Sequence, residues 1–131
     1  MIALDTNVLA RFYLNDEPAQ AQIAARLLME EDVFIPKTVL LELEWVMRGA
    51  AQVPAAGIAR SFNHLLSLPN VRVEDEAAVR AALKAFGQGL DFADALHTAA
   101  SAGADRFVTF DAKLVKRAPR RIGQAPVVLA Q

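Results

Sequence analysis

"MIALDTNVLARF", residues 1–12, decides how the rest of the chain is read. The small apolar run Met1 to Leu4 fits a strand, and it ends on Asp5, followed by Thr6 and Asn7. A charge set directly behind a buried strand is costly unless a partner neutralises it. The nearest cation along the chain is Arg11, so the sequence points to a partner brought from elsewhere.

Outward from this stretch, short apolar runs alternate with longer helical patterns. Asn7–Leu14 reads as a short helix. A second starts at Asp16-Glu17-Pro18, where acids and an early proline suit a helix N-terminus, and continues to Glu30. Val33–Ile35 is a second strand, closed by Pro36, and a strongly apolar helix runs from Thr38 to Arg48 and stops at Gly49. Pro54–Leu68 is helical and stopped by Pro69-Asn70; Val71–Val73 is a third strand; Glu76–Phe86 is a helix ending at Gly87 and Gly89. Asp91–Ala102 is a further helix, with Gly103 just past its end. Arg106–Thr109 is a fourth strand, Ala112–Lys116 a short helix and Val127–Leu129 a fifth strand. Strands separated by helices require right-handed crossovers, which gives an α/β fold with a mostly parallel sheet of about five strands and helices on both faces.

Bulk properties narrow the class. With 131 residues, 54% hydrophobic and 22% charged, the chain is expected to form one globular domain over 1–131. It has no cysteine, so disulfide and thiol chemistry are excluded and a reducing compartment suits it. Asp5 and Asp16 interrupt the start too early for a signal peptide, and no apolar run approaches the roughly 20 residues that span a bilayer; a cytoplasmic location is expected. The net charge of −1 hides an asymmetry. Residues 1–105 carry eight Lys/Arg against fourteen Asp/Glu, whereas residues 106–131 carry six Lys/Arg (Arg106, Lys113, Lys116, Arg117, Arg120 and Arg121) against Asp111 alone. An acidic region beside a basic one suits an anionic polymer held near bound cations, although a solvated basic tail produces the same count.

In open parallel sheets, sites form outside the carboxyl ends of the strands. Asp5 follows the first strand and Asp111 follows "FVTF", so both lie on the same rim; helix capping accounts for either acid as well. In "TVLLELEWVMR", at about 100° per residue, Glu42 shares a face with Thr38, Val39, Trp45 and Val46, whereas Glu44 has Arg48 at i+4 as an ordinary exposed pair. With Trp45 taken as core, Glu42 is the carboxylate that lacks a bland explanation. "GLDFADALHTAA" adds Asp91, a natural N-cap, and Asp94, which shares a face with His97, Thr98 and Ser101; the pattern does not rank the two acids. Convergent acids repel each other unless cations lie between them. Carboxylates with no cysteine, and with His64 and His97 far apart, favour Mg²⁺ or Mn²⁺ over Zn²⁺. His64 is expected on a helix surface and His97 in a structural role.

In their order and spacing, "LDTNVL", "TVLLELEWV", "DFADALHTAA" and "FVTFD" resemble the PIN-domain nucleases, in particular the VapC toxins of bacterial toxin–antitoxin pairs. The resemblance implies a Rossmann-like sandwich with the acids in one groove. It places the family's acids on Asp5, Glu42, Asp94 and Asp111, choosing Asp94 over Asp91, and lets Thr6 and Asn7 orient the first carboxylate. It further implies hydrolysis of RNA to 5′-phosphate and 3′-hydroxyl ends, with Mg²⁺ (or Mn²⁺) bound chiefly by Asp5 and Asp94 and with Glu42 and Asp111 in support. Basic residues from Lys113 to Arg121 would position the RNA backbone. A VapB-like antitoxin and a homodimer are the partners it implies.

Two other readings compete. A phosphatase of the haloacid dehalogenase type also puts an aspartate after its first strand, but needs a second acid two residues on, where this chain has Asn7. A non-catalytic PIN-like module that only captures RNA or protein would carry no reason for a full set of acids.

Overall fold

The computed structural model describes residues 1–120 and 124–131; Arg121, one of the basic residues counted above, lies outside the described residues. The chain forms two compact units, Met1–Glu76 and Ala77–Gln131.

The first unit runs β1 (Ile2–Ala3), α1 (Thr6–Leu14), α2 (Pro18–Glu30), β2 (Val33–Ile35), α3 (Lys37–Gly49), α4 (Ala55–Ser67) and β3 (Val71–Val73). Its strands form one parallel sheet in the order β1-β2-β3, with Ile2 opposite Val33 and Val33 opposite Val71. The punctuation that the sequence carried works as expected. Asn15 closes α1 in the left-handed region, returning its N–H to the Arg11 carbonyl at 3.0 Å. Pro18 opens α2, and Pro36 and Pro54 stand at the starts of α3 and α4. Val33 and Ile35 on β2 are buried, together with Leu9, Leu40, Leu43, Met47, Ile58, Phe62 and Leu65 from the helices.

Asn70 fastens the lead-in of β3. Its Nδ2 donates to the Leu28 and Glu31 carbonyls, each at 2.7 Å, satisfying oxygens at the C-terminal end of α2. Asn70→Ala removes both bonds at once and is expected to lower unfolding free energy by about 1–2 kcal/mol. Urea denaturation followed by circular dichroism would read this, and an unchanged midpoint would mean that water replaces the amide.

The second unit continues with α5 (Glu76–Gly87, whose first residue closes the first unit), α6 (Phe92–Ala100), β4 (Phe107–Thr109), α7 (Ala112–Arg117) and β5 (Val127–Leu129). β4 and β5 pair in parallel, Phe107 against Val127 and Thr109 against Leu129, as a two-stranded sheet. Val79, Ala82, Phe92, Leu96 and Leu114 are buried, and the Phe86 and Phe92 rings meet edge to face at 5.6 Å. Gly89 adopts φ +99 in the turn after α5, a conformation that suits a residue without a side chain. α6 stops at Ala100 rather than Ala102, because the Ser101 N–H turns back to the Thr98 carbonyl and its hydroxyl to the His97 carbonyl. Five short strands, all paired in parallel and separated by seven helices among the described residues, give the α/β class expected from the sequence.

α3 turns a different face inward from the one expected. The buried stripe of α3 is Leu40, Leu43, Glu44 and Met47, which follows the i, i+3, i+4, i+7 pattern. Trp45, expected in the core, is 65% exposed. Glu44, expected as a surface pair, is 2% exposed and receives the Arg48 Nε at 2.8 Å. Glu42 is exposed, so it sits on no apolar buried face. At about 100° per residue Val39, Leu40, Leu43, Val46 and Met47 share one arc, with Leu41 and Trp45 outside it. The wheel therefore favours the observed side over the Trp45 side, and Glu44 at the border of that arc turns inward with it.

Candidate metal and active site

Each candidate acid is best described within its own unit. Asp5 is exposed at the start of α1, and its Oδ1 accepts the Thr6 N–H at 2.8 Å. β1 itself is not deeply buried, since Ile2 is half-buried and Ala3 exposed. The charge behind the first strand is therefore met by a helix N-terminus and by solvent, and the sequence argument that it demanded a remote partner does not hold. Arg11 is engaged elsewhere, with Asp16 at 3.1 Å and Gln20 at 2.8 Å. It is the Thr6 backbone that orients the Asp5 carboxylate. The Thr6 hydroxyl is buried without a hydrogen-bond partner, and Asn7 is exposed.

Glu42 lies in the first unit midway along α3, exposed beside Trp45. As an exposed carboxylate it needs no neutralising group, so its candidacy rests on the resemblance alone. His64, exposed on α4 as expected, receives or donates a hydrogen bond with the Tyr13 hydroxyl at 2.9 Å and stacks on Phe12. Burial pushes the Tyr13 hydroxyl above its ordinary pKa, so it stays protonated.

The second unit holds a set of acids whose fields meet. Asp91 is the N-cap of α6, its Oδ2 accepting the Asp94 N–H at 3.2 Å. Asp111 is the N-cap of α7, its Oδ1 accepting Lys113 N at 2.9 Å and Leu114 N at 3.2 Å. Asp94 differs from both. It sits in the first turn of α6, half-buried, with no capping duty. Its carboxyl is held above the usual aspartate range by burial first, then by the Asp91 and Asp111 charges, with His97 pulling the other way. The sequence could not rank Asp91 and Asp94; the structure separates a capping acid from an electrostatically frustrated one.

Among the described residues no three His, Asp or Glu side chains form a ready metal-binding cluster. The donor chemistry nevertheless fits a hard divalent cation. A half-buried carboxyl that repels two neighbouring carboxylates is relieved by positive charge, and all three offer oxygen. His97 is exposed close enough to be felt by Asp94, which makes it an electrostatic neighbour of the set. Sequence reasoning passed over Phe110, an 88% exposed ring directly before Asp111. The signal was available, since alternation along "FVTF" turns Val108 and Phe110 to the same outward side.

Comparison with known proteins adds the family. The description PIN domain matches residues 2–120. No curated protein matches the chain. PIN domains are generally nucleases, they bind RNA, and they typically use divalent metals. With 2–120 of 131 residues matched and with parallel strands alternating with helices as that fold requires, the chain belongs to the PIN-domain family.

Proposed function

We propose that the protein is a Mg²⁺-dependent endoribonuclease toxin of the VapC type, folded as one domain over 1–131, which hydrolyses RNA phosphodiester bonds. The observation that carries this reading is Asp94, a half-buried carboxyl crowded by Asp91 and Asp111 and poised to be relieved by a cation. The order of "LDTNVL", "TVLLELEWV", "DFADALHTAA" and "FVTFD" supports the toxin assignment. Asp5 and Asp94 are the proposed direct ligands, with Glu42 and Asp111 as accessory acids; Mn²⁺ would substitute for Mg²⁺. When bound, such a cation lowers the pKa of water and stabilises charge developing on the phosphate.

The chain's own residues prepare that role. The Thr6 amide fixes one oxygen of Asp5, and the two amides at the start of α7 fix one oxygen of Asp111, which leaves the second oxygen of each carboxylate free to act. Asp94 stays protonated to a higher pH than an ordinary aspartate while no cation is near. A VapB-like antitoxin that occludes the site and a homodimer are the proposed partners, in the cytoplasm. No helix among the described residues is long and apolar enough to cross a membrane.

Purified protein incubated with total RNA should cleave in Mg²⁺, stop in excess EDTA and recover on adding Mn²⁺. End mapping should find 5′-phosphate and 3′-hydroxyl termini. Cleavage that persists in EDTA, or cyclic phosphate ends, would overturn the proposal.

A further inference from the structure

His97 is exposed on α6, and its ring has no hydrogen-bond partner among the described residues. It follows Asp94 by three positions, one turn on along the same side of the helix, where Cβ atoms stand about 5–6 Å apart. Helical side chains lean back toward the N-terminus, so the imidazole is carried over the turn that bears Asp94. The two groups feel each other, since His97 offsets part of the repulsion on the Asp94 carboxyl.

The neighbours on α6 leave this pair to itself. Ala93 and Ala100, four residues before and three after His97, bring no polar side-chain atom and little bulk. The Thr98 hydroxyl turns back to the Asp94 carbonyl at 2.9 Å, and the Ser101 hydroxyl to the His97 carbonyl at 2.7 Å. Both hydroxyls are thus engaged with backbone. What remains on this side of the helix is one carboxylate and one imidazole a turn apart.

Carboxylate–x–x–histidine pairs at this spacing hold iron and manganese in helix-bundle metal proteins. The mixed donor set decides which ion such a pair prefers. Carboxylate oxygens suit Mg²⁺, whereas an imidazole nitrogen adds little for a hard ion and much for Zn²⁺ or Ni²⁺. Among the described residues no third His, Asp or Glu completes a cluster, so the pair falls short of the four ligands of a permanent structural zinc site and suits reversible occupancy. The geometry points to a capture site for Zn²⁺-class transition ions formed by Asp94 and His97, which takes up the carboxylate that Mg²⁺ needs and so holds the nuclease centre inactive. Capture itself needs only α6. Its inhibitory consequence rests on the ribonuclease reading and adds a means of regulating that centre.

The test starts with full-length protein and metal alone. Because the chain has only His64 and His97, long-range ¹H–¹⁵N spectra of the imidazole nitrogens report each ring separately, with His64→Gln making the assignment. Adding ZnCl₂ in a non-coordinating buffer at neutral pH should shift the His97 nitrogens and leave those of His64 in place. By calorimetry, His97→Gln should lower Zn²⁺ affinity relative to Mg²⁺ affinity by at least about 10-fold, because even outer partners of a metal are worth on the order of 10- to 100-fold. His64→Gln should bind Zn²⁺ like wild type. In cleavage assays at fixed Mg²⁺, Zn²⁺ should inhibit wild type, and the concentration for half-inhibition should rise by at least about 10-fold in His97→Gln. Zn²⁺ that moves the His64 ring alone, or that binds His97→Gln as tightly as wild type, would overturn the capture site. Cleavage undiminished at Zn²⁺ concentrations that saturate His97 would overturn the inhibition. Zn²⁺ held at His97 in a protein that never cleaves RNA in Mg²⁺ would sink the nuclease reading and keep the capture site. Mg²⁺-dependent cleavage with no Zn²⁺ at His97 would do the reverse.

Discussion

Asp94→Asn is expected to reduce Mg²⁺-dependent RNA cleavage by at least about 100-fold, because even outer partners of a metal are worth on the order of 10- to 100-fold and this side chain is a proposed direct ligand. The same variant is expected to be more stable than wild type at neutral pH in EDTA. The sign follows from the raised pKa. As pH climbs from the ordinary aspartate value toward the raised one, the unfolded chain releases its proton first, so the native state binds more protons and wild-type stability falls. Asparagine has no proton to release and escapes that loss. The stability gap between variant and wild type should therefore open as pH rises past about 4 and close below it. Thermal melts from pH 3 to 8, run beside cleavage assays, check both halves. A variant that loses activity but melts below wild type at neutral pH would show that Asp94 supports the fold instead of straining it.

The second large effect concerns the α3 pair. Glu44 is 2% exposed with Arg48 Nε 2.8 Å away, while the Arg48 side chain is about half in solvent. Removing the cation leaves a carboxylate buried without its ionic partner. For fully buried pairs that costs about 3–5 kcal/mol, and partial solvation of Arg48 brings the expectation for Arg48→Met to about 2–3 kcal/mol. Glu44→Leu combined with Arg48→Met should recover most of this, since apolar residues of similar size often replace a buried pair at little loss. A double-mutant cycle by urea denaturation reads the coupling directly. Equal losses for Arg48→Met in the wild-type and Glu44→Leu backgrounds would show that the pair carries no specific energy.

Much of the fold was legible because its punctuation is chemical. Pro18, Pro36, Pro54, Gly49 and the Pro69-Asn70 pair each break a helix or strand by local sterics, and the observed elements start and stop within a residue or two of them. The capping acids were legible for the same reason, as Asp91 and Asp111 show. What failed was the choice of face on α3. Val39, Leu40, Leu43, Val46 and Met47 share one apolar arc of the helix, which the sequence does offer. What it does not reveal is that Glu44, at the border of that arc, turns inward with Leu40, Leu43 and Met47 while Trp45 turns out. With Glu42 on the exposed side of α3, burial does not distinguish it from any surface carboxylate. The meeting of Asp94 with the Asp111 charge was equally invisible, because it joins residues 17 positions apart through α6, β4 and the start of α7.

That Asp5, Asp91 and Asp111 hold helix starts with their carboxylates bears on how mutagenesis here should be designed. Alanine at any of these positions deletes a backbone anchor along with a negative charge, and the anchor alone is worth about 1 kcal/mol. Asparagine keeps an oxygen in the anchoring position and discards only the charge. Truncation would thus mix a scaffold defect into every kinetic result, whereas amide replacement separates the two.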